Sequence, residues 1–113
     1  MAYDEALAER VREVLAGTGV AATEKSMFGG LAFLVGDAMA VAASGHGGLM
    51  VRCLPEQSGA LTEQPGVARM VMRGREMDGW LTVAGTPTDF ELERWVDVGV
   101  AAARAQPPKA RRR

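Results

Sequence analysis

At 113 residues the chain has the length of one domain, and its hydrophobic content of 48% excludes a largely disordered polymer. No run of about 18 apolar residues is present, which excludes an ordinary membrane-spanning helix; Met1-Ala2-Tyr3-Asp4-Glu5 has neither the basic nor the apolar region of a signal peptide. The net charge of −1 hides an asymmetry: four of the 13 basic residues fall in the last five positions, leaving nine against 14 acidic ones, a net of −5 over residues 1–108. An acidic body argues against a broad phosphate-binding face, so weak or no direct binding of nucleic acid is expected. Cys53 is the only cysteine, so no disulfide closes within one chain. That suits a reducing compartment, and a cytoplasmic location is the expectation.

Residues 3–16 have the period of an amphipathic helix. Tyr3, Leu7, Val11 and Val14 or Leu15 form one stripe, and Gly17 is a natural stop, with a second glycine at Gly19. Thr23–Phe28 reads either as a short edge strand or as an extended lead-in, with charge at Glu24 and Lys25 suiting an edge. Gly29-Gly30 breaks that run. Leu31–Val35 and Ala38–Ala43 flank Gly36-Asp37, the pattern of a hairpin with a two-residue turn. Strict alternation places Met39, Val41 and Ala43 on one face and Ala38, Ala40 and Ala42 on the other. A glycine-rich loop, Ser44–Gly48, leads to a third strand whose inward face is Leu49, Val51 and Cys53; Met50, Arg52 and Leu54 point the other way.

Pro55 ends that strand, and residues 55–64 read as a helix with Pro55 in its first turn. Arg69–Arg73 and Trp80–Ala84 read as two more strands, joined by a long polar loop over Gly74–Gly79. Thr88 and Glu91 have the spacing of a capping box. The last helix follows, with Leu92, Trp95, Val96, Gly99, Val100 and Ala103 as its apolar face, until Gln106-Pro107-Pro108 ends it. The order is α-β-β-β-α-β-β-α in a single domain over residues 1–108, followed by a basic, disordered tail at 109–113. Meanders of this kind imply an α+β fold, a two-layer α/β sandwich with an antiparallel sheet of about five strands and helices on one face.

No catalytic set is legible. His46 is the only histidine and sits in a Ser-Gly-His-Gly-Gly loop without a positioned partner. Cys53 shares a strand face with Leu49 and Val51 and reads as a core residue. One His and one Cys do not make a structural zinc site, and the glycines match no phosphate-binding loop; no metal and no cofactor is expected. Asp89 and Glu93 fit a solvated helix surface. Met27, Met39, Met50, Met70, Met72 and Met77 all fall in the sheet region, where core filling is the first reading and an adaptable partner surface the second. Arg52 opposes an apolar strand face, and Arg73 and Arg75 bracket Gly74; converging, the three would bind a carboxylate or phosphate, while ion pairs within the fold explain them about as well.

Several of these segments together resemble a known family. Met27-Phe28-Gly29-Gly30-Leu31-Ala32-Phe33, Leu49-Met50-Val51-Arg52, the stretch from Met72 through Gly74-Arg75, Met77 and Gly79-Trp80, and a closing helix with Trp95-Val96 look like the N-terminal domain of the TfoX (Sxy) competence regulators. The resemblance covers residues 3–108. It implies a two-layer domain like that of secretion chaperones, and no catalytic residues. Full-length TfoX-type regulators are bacterial; they carry a second, helical C-terminal domain and act with the cyclic-AMP receptor protein to switch on DNA-uptake genes. The expectation is therefore a non-enzymatic protein-interaction domain, an accessory to transcription regulation. Its partner would be a protein such as a transcription regulator, with homodimers also suiting such a fold. The surface would include Met27, Phe28, Arg52, Arg73 and Arg75. The alternative is a small-ligand or anion-binding domain that uses the clustered arginines.

Overall fold

A computed structural model describes residues 3–27, 29–45 and 47–106, the side chain of Met72 excepted. Phe28, His46 and the basic tail lie outside the described residues.

The first helix, α1 (Glu5–Thr18), starts at Asp4, whose Oδ1 accepts from the Leu7 amide at 3.1 Å. It runs through Gly17 and stops at Gly19, two residues beyond the expected stop. Gly19 takes the left-handed conformation, and its amide reaches the carbonyls of Leu15 and Ala16. Leu7, Val11 and Leu15 of the expected stripe are buried.

Six strands follow: β1 (Thr23–Met27), β2 (Gly30–Val35), β3 (Ala38–Ala43), β4 (Leu49–Arg52), β5 (Val67–Met72) and β6 (Arg75–Val83). They form one antiparallel sheet in the order β1-β2-β3-β4-β6-β5. The sixth strand is Thr23–Met27, which pairs with β2 along its whole length and is an exposed edge carrying Glu24 and Lys25. The loop expected at Gly74–Gly79 is instead strand: β6 begins at Arg75, and the turn shrinks to Arg73-Gly74. Both turn residues have positive φ, 54° and 78°, as a type I′ hairpin requires.

Between β4 and β5 the expected helix is short. Pro55–Gln57 form a 3-10 turn and α2 (Ser58–Leu61) adds one turn. Ser58 is drawn inward, fully buried, where its hydroxyl accepts from the Gly79 amide at 2.8 Å. The last helix, α3 (Asp89–Arg104), has the expected capping box: Thr88 Oγ1 accepts from the Glu91 amide at 3.1 Å, and Glu91 Oε1 accepts from the Thr88 amide at 2.9 Å.

Helices α1 and α3 pack on one face of the sheet. The main core joins their apolar stripes to Leu31, Phe33, Val41, Val51, Leu81 and Val83. Approach is closest at Gly99, where an added Cβ would lie 2.4 Å from the Ala40 carbonyl oxygen and 2.9 Å from Val41 Cγ1. The strand under that contact is bulged. Phe33 pairs with Val41, but Leu34 pairs with Met39, so Ala40 is an extra residue in β3. The bulge overturns the expected alternation: Ala40 joins Val41 and Ala43 in the main core, while Met39 turns to the opposite face with Ala42.

Candidate functional site

The opposite face of the sheet holds a second, smaller cluster of Ala32, Ala42 and Met50, with Met27, Leu34, Met39 and Met70 packed against it. Among the described residues no helical one belongs to it. A cavity of about 670 Å³ opens on this face. Its floor is methionine-rich, and Ala103, Arg104 and Gln106 at the end of α3 line part of it beside the β2–β3 hairpin.

The alternation of β4 explains two of the lining residues. Leu49 and Val51 are spent on the core, so Met50 and Arg52 face the cavity. Trp80 of β6 is the cross-strand partner of Arg52. The Arg52 guanidinium carbon lies 4.2 Å from the Trp80 ring centroid, a cation–π stack. Arg52 Nε donates to the Met39 carbonyl at 2.7 Å, fastening β4 to the bulged β3. Burial pushes the Arg52 pKa below its ordinary value, so this is a cation stripped of part of its water.

A second irregularity brings Met77 to the same place. Arg69 pairs with Leu81, yet the next residue, Met70, pairs with Met77. Asp78, Gly79 and Trp80 therefore form a three-residue bulge in β6. Met77 and Trp80, an odd number apart, both line the cavity, which regular alternation would forbid. Gly79 sits in the bulge at φ 90°, where a side chain would be strained. Its amide is held by Ser58, its carbonyl accepts from the Cys53 amide at 2.9 Å, and Arg69 pairs with Asp78 at 2.8 Å.

Of the residues expected at a surface, Met27 and Arg52 line this one cavity. Arg73 and Arg75 are exposed on the β5–β6 hairpin and are not among the lining residues. Phe28 lies outside the described residues. Lys25, Met39, Met70, Met77, Trp80 and Arg104 are among the other lining residues, none of them expected to form a set with Arg52. The methionines mostly do not fill the main core, contrary to the first reading of their abundance; Met27, Met39, Met50 and Met70 cluster on the open face. Parity in β4 and the pairing of Arg52 with Trp80 were the available signals.

Cys53 is buried as expected, with its Sγ 3.7 Å from Ser58 Oγ, and burial pushes its thiol pKa up. A thiol held in its neutral form there is a poor nucleophile. Among the described residues no group of three His, Cys, Asp or Glu side chains is placed to hold a metal ion, and no helix is long and apolar enough to cross a membrane. Asp89 lies at the helix surface and pairs with Arg10 at 3.0 Å.

Comparison with known families gives one match: the family model for the TfoX N-terminal domain covers residues 13–103. No curated protein and no solved structure matches the chain.

Proposed function

This chain belongs to the TfoX N-terminal domain family, and on that premise we propose that it is a non-enzymatic protein-interaction domain, an accessory to transcription regulation. The observation that carries the reading is the methionine-rich sheet face, whose apolar cluster contains no helical residue among those described and which only the end of α3 borders. Unbranched thioether side chains repack at little cost, which suits a surface that must fit a partner. Trp80 and Arg52 supply the aromatic and guanidinium anchors that dominate binding energy at many interfaces. The test is capture from the native cell with wild-type chain and with a Met39→Glu/Met70→Glu variant. A transcription regulator retained by the first and lost by the second is the expected result. Tight, sequence-specific DNA binding by the purified chain alone overturns the reading.

A ligand-binding reading of the same face is favoured by one observation. Lys25, Arg52 and Arg104 stand around the cavity against a single lining carboxylate, Asp37.

A further inference from the structure

We propose that the cavity on the open sheet face is a binding site for a small amphipathic carboxylate: an apolar body seated on the methionines, its carboxylate received by Arg52. This rests on reading that face as the working surface of the domain. Four observations lead to it.

The first is size. About 670 Å³ falls inside the range of roughly 300–1,000 Å³ typical of small-molecule sites. The second is the floor, where Met27, Met39, Met50, Met70 and Met77 present flexible, polarizable side chains that mould to an alkyl chain or ring.

The third is charge. Lining residues carry three cations and one carboxylate, a net of +2 on a body that is otherwise acidic. Among the described residues neither Lys25, Arg52 nor Arg104 makes an ion pair, whereas Arg10, Arg12 and Arg69 all do. Arg73, Arg75 and Arg94 likewise make none among the described residues, but only Lys25, Arg52 and Arg104 line one cavity.

The fourth is the fixing of Arg52. Its Nε is committed to the Met39 carbonyl and its guanidinium carbon lies over the Trp80 ring. Among the described residues its terminal nitrogens hydrogen-bond no protein acceptor. A guanidinium held in place with two donor nitrogens to spare meets a carboxylate at low entropic cost. Lys25 and Arg104, both exposed, add attraction at the rim.

The experiment titrates the full chain with decanoate, decan-1-ol and acetate, read by calorimetry and by carbon-13 labelled methionine methyl resonances. Decanoate is expected to bind saturably at one site and to shift the methyls of the five lining methionines. Decan-1-ol should bind about tenfold or more weakly, and acetate should shift nothing. Arg52→Gln should remove the preference for the acid. Because Arg52 also braces Met39 and Trp80, a second variant, Lys25→Gln/Arg104→Gln, leaves that bracing untouched and should weaken decanoate several-fold. Equal affinity for decanoate and decan-1-ol overturns the proposal, as does decanoate binding that neither variant changes, or no methyl shift at millimolar decanoate. Loss of partner capture in Met39→Glu/Met70→Glu while decanoate fails to bind wild type sinks this inference alone. Decanoate binding with capture unaffected by that variant supports this inference and sinks the interaction reading.

Discussion

Under α1 and α3, Phe33, Val41, Val51 and Leu81 are at most 1% exposed; on the other side of the same sheet Met27, Met39 and Met70 are only half-buried. The first set is branched or aromatic and packs against helices that approach to backbone contact at Gly99. The second is unbranched and packs chiefly against itself. Branched side chains have few rotamers and hold one arrangement, whereas thioethers accept several. One sheet thus carries a face that fixes the fold and a face free to adapt, and the two should respond differently to the same kind of change.

The sharpest test deletes side chains on either face. Leu81→Ala should cost about 3–4 kcal/mol in urea unfolding, because its site is closed by helices and cannot collapse. Overpacking the helix contact comes next: Gly99→Ala puts a methyl against the Ala40 carbonyl and should cost about 2–3 kcal/mol by the same measurement. Met70→Ala, on the open face, should cost only about 1 kcal/mol, since the side chain is half in water already. A loss equal to that of Leu81→Ala would erase the distinction between the faces. Thr88→Ala removes the cap of α3 and should lower stability by about 1 kcal/mol or less without altering the open face; unchanged methionine methyl resonances would verify the second part.

The smallest effect concerns the tie between the helix layer and the sheet edge. Arg12 reaches Glu24 of β1 through two hydrogen bonds of 2.5 and 2.9 Å. The Arg12 hydrogen bond holds the Glu24 carboxyl below its ordinary value of 4.5. A depressed folded-state pKa gives stability that is present above the unfolded value and fades as pH falls through the folded one. Glu24→Gln should therefore lower stability slightly at neutral pH, the pair being exposed, with the difference from wild type vanishing as pH falls below about 4.5, so that the acid limb is slightly flatter. Melting curves across that window read it out.

The helix-covered half was largely legible in the sequence because its signals are local. A capping box needs only Thr88 and Glu91, and the stripes of α1 and α3 need only their own periodicity. The open face was half legible. Met50 and Arg52 follow from parity in β4, and Trp80 from its regular pairing with Arg52, but Met39 and Met77 reach the cavity through bulges that contacts elsewhere impose. The β3 bulge lies beneath Gly99, 59 positions further along the chain, and the β6 bulge is pinned by Ser58 and Cys53. Gly19 replacing Gly17 as the stop of α1 is a smaller case: two glycines offered an end, and the carbonyls of Leu15 and Ala16 decided between them.

The three-residue bulge at Asp78–Trp80 also bears on how the chain tolerates changes of length. Register on the Trp80 side is anchored through Gly79 to Ser58 and Cys53, independently of the hairpin tip. Shortening the hairpin by one residue from each arm, Val71 with Glu76, would keep that anchor and leave Trp80 and Arg52 stacked. Deleting Asp78 alone would remove part of the bulge itself and change the parity of the segment beyond it, turning Met77 away from the cavity. The hairpin can thus vary in length in matched pairs, while the bulge sets a fixed reading frame for the site.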